Sequence, residues 1–205
     1  MSGSWISPVL SLLTSDKTPL ETTLTNFEES WVVSGEKLGS LVGCIIAAYL
    51  TDKIGRKRIL LLSAIPFCVS MMGATLAKTA TVFIILRFIG GLGTGIVFVV
   101  LPIYVGEIAD KDIRGRLNVL RIILGTLGSV YVYSVGPFIS YIVLSITCGI
   151  VPIVFALIFV FMPESPHFLI KTCKVAEATE SLRQLSQKNL NEEALILDYK
   201  TFNDM

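Results

Sequence analysis

A chain of 205 residues has the length of one or two soluble domains, yet 53% of its residues are hydrophobic, 16% are charged and mean hydropathy is +0.73. The charges crowd into short segments between apolar runs of about 20 residues, the length that crosses a hydrocarbon core, so a soluble globular domain is excluded and an all-α multi-pass membrane protein is expected. The net charge of +1 carries no signature of nucleic-acid binding, and Cys44, Cys68, Cys148 and Cys173 lack the close pairing of a metal site or disulfide frame.

Residues 1–13 are apolar but contain Pro8. At 1.5 Å per residue they reach only about 20 Å, short of a full crossing. They are expected to be the remnant of a first helix, and no basic segment ahead of them marks a signal peptide. Residues 14–30 turn polar and predict an extracellular loop. Near its end, Thr25 followed three residues later by Glu28 has the pattern of a capping box opening the next helix. Glu28 and Glu29 then sit where a helix dipole favours negative charge.

The bundle is expected over residues 31–166, with spans at about 31–50, 59–77, 82–105, 117–135 and 141–161. In the first span Gly35, Gly39, Gly43 and Ala47 recur every fourth residue, a small-residue groove that lets another helix approach. Lys37 is close enough to the outer end to snorkel, whereas Glu36 needs a partner or a watery cavity. The turn Asp52-Lys53-Ile54-Gly55-Arg56-Lys57-Arg58 follows, one acid among four cations. Short loops this rich in Lys and Arg stay cytoplasmic. The third span carries Arg87 and the run Gly90-Gly91-Leu92-Gly93-Thr94-Gly95. No strand precedes these glycines, so a phosphate loop is excluded. Gly91 and Gly95 instead form a GxxxG pair suited to helix contact. Arg87 should face the bundle interior or a cavity.

A second charged turn covers residues 106–116, and Gly136-Pro137 joins the last two spans. Pro163-Glu164-Ser165-Pro166 closes the membrane part. Residues 167–205 predict a cytoplasmic linker in which Val175, Ala178, Leu182 and Leu185 recur at helical spacing, as in an amphipathic helix. Sidedness is self-consistent. Lys53, Arg56, Lys57, Arg58, Lys111, Arg114, Arg116, Lys171 and Lys174 fall inside, against Lys17 and Lys78 outside. At the inner face, Asp52 with Arg56, Glu107 with Arg114, and Glu164 near both are placed to pair and re-pair as a two-state gate.

Four ordered motifs resemble those of the major facilitator superfamily and its sugar porter family. They are Asp52-x-x-Gly55-Arg56-Lys57; Arg87-x-x-Gly90-Gly91-x-Gly93-x-Gly95; Pro102-x-Tyr104-x-x-Glu107 followed by Arg114-Gly115; and Pro163-Glu164-Ser165-Pro166. The outer segment, with Trp5, Ser7, Pro8 and Ser30-Trp31, is similar to that of the insect facilitated trehalose transporters. The resemblance implies a partial amino-terminal six-helix bundle, in a fold of two halves that bind sugar between them. It further implies alternating access gated by Asp52, Arg56, Glu107, Arg114 and Glu164, with a plasma-membrane location. Implied partners are a sugar, the lipid bilayer and a carboxy-terminal half or full-length relative; no cofactor, metal or nucleic acid is implied. The family's glutamine, eight residues after the arginine of the Arg-Gly pair, is replaced here by Ile122. Gly125 and Ser129 extend the face of Ile122 and are candidates to line the substrate path, while Arg121 is expected to face elsewhere. The rival reading is a non-transporting membrane interaction protein or a truncated gene product, pairing with itself or a full-length relative through its glycine-rich helix faces. An enzyme is not expected, since the single histidine, His167, has no nucleophile or metal-ligand partner in the pattern.

Overall fold

The computed structural model describes Ile6, residues 25–109 and 111–172 (backbone alone at 111 and 112), Lys174 and residues 177–181. The first helix opens where its cap dictates. Thr25 accepts a hydrogen bond from the Glu28 backbone N–H at 3.3 Å, and the Glu28 carboxylate accepts from the Thr25 N–H at 3.0 Å. Helix α1 therefore runs Asn26–Ile54, beginning before the apolar span and including the end of the expected loop. It is followed by α2 (Arg56–Leu76), α3 (Ala80–Ile108), α4 (Lys111–Val135), a single 3-10 turn (Gly136–Phe138), α5 (Tyr141–Phe159) and the short α6 (Pro166–Lys171). Five of these are long and apolar enough to cross a membrane. The second charged turn is mostly helical, because α3 and α4 continue through their polar ends rather than stopping at the bilayer surface. Residues 1–24 other than Ile6 lie outside the described residues, as do Val175, Leu182 and Leu185 of the expected amphipathic helix. Ala178 is buried against Phe168 and Leu169.

Small residues decide which helices touch. A β-carbon on Gly39 would overlap the Phe88 carbonyl, and one on Gly43 would overlap that of Leu92. From the other side, a β-carbon on Gly91 would overlap the Glu36 carbonyl, and one on Gly95 that of Ser40. The two predicted grooves are thus two sides of one seam in which α1 and α3 meet backbone to backbone. This corrects the pairing route of the rival reading, since these two glycine faces are closed on each other and not left open for a second chain. Helix α2 packs on α3, where a β-carbon on Gly93 would stand 3.0 Å from the Phe67 ring. Helix α5 packs on α2, with the Tyr141 hydroxyl donating to the Ala74 carbonyl.

Two apolar clusters result. An outer one joins Val32, Met71, Phe83, Val132 and Leu144, and an inner one joins Leu60, Val100, Tyr104 and Phe159. Helix α4 stands furthest from the rest; Ile122, Ile123, Leu124 and Leu127 are all exposed, and of its described side chains Val132 alone is buried in the core. In lipid such exposure carries no penalty, because acyl chains are as apolar as leucine.

Candidate functional site

The end of α1, the start of α2 and the end of α3 converge on the segment leading into α6. The reversal from α1 to α2 takes one residue, Gly55, at φ 101° and ψ 155°. This backbone conformation is essentially reserved for glycine. Its missing side chain also makes room: a β-carbon there would lie 2.7 Å from Glu164 Oε2 and 2.9 Å from the Phe168 ring.

Arg56, the first residue of α2, is buried, and its guanidinium ties four elements together. Nε lies 3.0 Å from Glu107 Oε2 on α3, and Nη2 lies 3.1 Å from Asp52 Oδ1 on α1. Nη1 donates to the Thr51 carbonyl at 3.2 Å, and the cation sits 5.3 Å above the Phe168 ring of α6. Burial of such a group is tolerable only with this many partners. Glu107 in turn accepts from the Ser165 hydroxyl, and the Tyr104 hydroxyl donates to the Pro163 carbonyl at 2.7 Å. Ser165 then caps α6 by accepting from the Phe168 N–H at 3.4 Å, with Pro166 at its first turn.

Glu164 has a role that no sequence motif announces. Its Oε1 accepts from the backbone N–H of Lys57 at 2.8 Å and of Ser165 at 3.1 Å. The first turn of α2 carries Arg56, Lys57 and Arg58 and no acid, and Gly55 offers it no side-chain cap. Glu164 supplies from a distance the negative charge that the positive end of that helix favours. The expected Glu107–Arg114 pair is not formed. Among the described residues Arg114 meets no carboxylate; it is exposed and donates to the Ala109 carbonyl at 3.5 Å. Glu107 is already occupied by Arg56 and Ser165. A β-carbon on Gly115 would meet nothing within 4 Å, so this glycine makes no close approach to another helix. Pro102 lies inside α3, half-buried. The Lys171–Asp52 pair at 3.3 Å is exposed, and such pairs contribute only about 0–1 kcal/mol.

Within the membrane, Arg87 of α3 pairs with Glu36 of α1, both fully withdrawn from the surface. Each stands out in the sequence as needing a partner, and the partner of each is the other.

A cleft of about 540 Å³ lies between α2, α3, α4 and α5, lined by residues that include Ser63, Phe67, Met71, Thr94, Arg121 and Gly125. Of the three expected path residues, Gly125 lines it. Ile122 is 59% exposed on another side of α4, and Ser129, which donates to the Gly125 carbonyl at 3.3 Å, is not in its wall. Arg121 is in the wall because it lies one helical turn from Gly125, whereas Ile122 points about 100° away. The sequence signal for it is a cation inside an apolar span. Among the described residues no group of His, Cys, Asp or Glu is arranged to hold a metal ion.

The model of the sugar (and other) transporter family matches residues 5–205. The chain belongs to that family. The facilitated trehalose transporter Tret1 of Bombyx mori is 31% identical over 175 residues, covering 85% of this chain and 35% of that protein. The Tret1-2 homolog of Drosophila sechellia is 29% identical over 196 residues, covering 96% of this chain and 40% of that protein. Among solved structures, the inward-open xylose transporter XylE from E. coli aligns with a TM-score of 0.80 at 22% identity, over 99% of this chain and 52% of that one. The partially occluded inward-open form aligns at 0.77 with 24% identity, over 99% and 55%. The sugar-transporter chain thus spans 35–40% of these relatives and about half of the solved neighbours. Its fold is that of a partial amino-terminal major facilitator bundle, and it is an integral multi-pass membrane protein.

Proposed function

We propose that this chain forms the amino-terminal half of a transporter that moves a sugar across the plasma membrane by alternating access. The observation that carries the reading is the cytoplasmic junction. A buried arginine joins α1, α2 and α3, and the carboxylate of Glu164 holds the start of α2. An assembly of this kind ties the inner helix ends into one body, as rocking of one half against another requires. Facilitated transport of trehalose is the substrate reading favoured by the Tret1 relatives. With one wall of an inter-half cavity, the chain by itself is expected to carry sugar poorly, and a carboxy-terminal half is its expected partner.

Uptake of labelled trehalose, glucose and xylose into reconstituted vesicles tests this, with the chain alone and with the carboxy-terminal half of a relative. Saturable, stereospecific entry only with both halves supports the reading. No entry in the paired vesicles overturns transport; equal entry with the chain alone overturns the need for a second half.

A further inference from the structure

Helix α1 is the least apolar of the five crossing helices, and its weak points share one face. Gly35, Glu36, Gly39 and Gly43 are buried on the side turned to α3, whereas Leu38, Leu41, Ile45 and Tyr49 are exposed. Lipid is a good neighbour for the second side and a poor one for the first. Glycine offers hydrocarbon almost no apolar area, and a carboxylate placed there is costly.

Depth decides which charge is the burden. Glu36 and Lys37 lie about 8 Å beyond Trp31 by helix rise. A lysine carries its ammonium back to the interface on a four-carbon stem, but the two methylenes of a glutamate are too short for that. Arg87 lies seven residues into α3 from Ala80, about 10 Å on the same scale, so the pair meets at matching depth.

The two helices are not equally in need of each other. Among the crossing helices only α5 is more apolar than α3. Helix α3 therefore tolerates one arginine where α1 has little margin for its glutamate. Helix α1 also packs far more extensively on α3 than on α2, the helix between them in the chain. What α1 lacks arrives with Arg87, 51 positions after Glu36.

We infer that Glu36 and Arg87 form an insertion lock: α1 takes a stable transmembrane position only when α3 enters beside it and Arg87 neutralises Glu36. The dependence runs one way, from α1 on α3. It is separate from whatever the protein carries.

The test uses the full chain in opened membranes, with its own cysteines replaced by alanine. One new cysteine is placed at Leu41 in α1 or at Leu157 in α5, both exposed on the outside of the bundle. A water-soluble maleimide reads which position has left the lipid, because a thiol reacts as its thiolate and needs water to form it. Both positions should be protected in the otherwise unmodified chain. Arg87→Leu should raise labelling at Leu41→Cys by about tenfold or more and leave Leu157→Cys unchanged. Adding Glu36→Leu to Arg87→Leu should restore protection, as should exchanging the charges with Glu36→Arg and Arg87→Glu. Glu36→Leu alone removes the same ion pair yet should leave α1 protected, which separates a one-way dependence from a general loss of stability. Continued protection of Leu41→Cys in Arg87→Leu overturns the inference. So does equal exposure in Glu36→Leu, failure of the double replacement to restore protection, or exposure of both reporters together.

Discussion

Replacing Gly55 by alanine tests the junction of α1, α2 and α3 most directly. At φ 101° and ψ 155° a β-carbon forces the backbone into a region that costs about 1–3 kcal/mol. The same β-carbon meets Glu164 Oε2 at 2.7 Å and the Phe168 ring at 2.9 Å, so the carboxylate must withdraw. Its 2.8 Å bond from the Lys57 N–H is then lost, a further 1.5–3 kcal/mol or so for a hydrogen bond to a charged group. The total is roughly 2.5–6 kcal/mol. Thermal unfolding of the detergent-purified chain, followed by labelling of the buried Cys148 thiol, should show a midpoint lowered by many degrees. Combining Gly55→Ala with Glu164→Ala separates the two contributions. The carboxylate part disappears from the pair, so the double variant should be less destabilised than the sum of the singles. A Gly55→Ala midpoint equal to that of the unmodified chain, or strict additivity with Glu164→Ala, refutes the reasoning.

Other outcomes follow from the same geometry. Glu36→Met or Arg87→Met alone should cost about 3–5 kcal/mol by stranding a buried charge, whereas the double replacement should come close to the original stability, both read by denaturation midpoint. Glu107→Gln should destabilise by about 1.5–3 kcal/mol, while Arg114→Gln, whose side chain is exposed, should stay within about 0.5 kcal/mol. A stability loss for Arg114→Gln matching that for Glu107→Gln would contradict the partner assignment. Gly91→Leu should prevent α1 and α3 from docking and abolish folded yield. Gly115→Ala, with open space around it, should be neutral or stabilise the helix by up to about 1 kcal/mol. A cysteine placed at exposed Arg58 should resist impermeant thiol reagents in sealed cells and react once they are permeabilised.

Much of this architecture is written along one dimension and could be read there. The helix number, the Thr25 cap and the small-residue seams depend on runs and spacings within a segment, and each matches the structure. Choice of partner is different, because it depends on how one helix is rotated and shifted against another. Glu36 and Arg87 each advertise an unmet charge, but nothing in either segment names the other. Glu107 lies close in sequence to Arg114 yet reaches Arg56 across the junction, since α3 and α2 touch there and the start of α4 lies apart. Glu164 reads like one more acid for an arginine, and only the end-on approach of its segment to α2 reveals a backbone partner. A one-residue difference in helix phase likewise places Arg121, and not Ile122, in the cleft.

The bond between Glu164 and the Lys57 N–H joins residues 107 positions apart, and the order of synthesis gives that separation a meaning. When the corner at Gly55 leaves the ribosome, the acid that will settle it has not been made. During insertion the four cations there outnumber Asp52, and a short loop so rich in Lys and Arg favours one orientation of the nascent hairpin. Only after α5 and the segment that carries Glu164 have emerged does the same corner become a fixed joint, so one stretch of chain serves first as an address and later as a hinge pin.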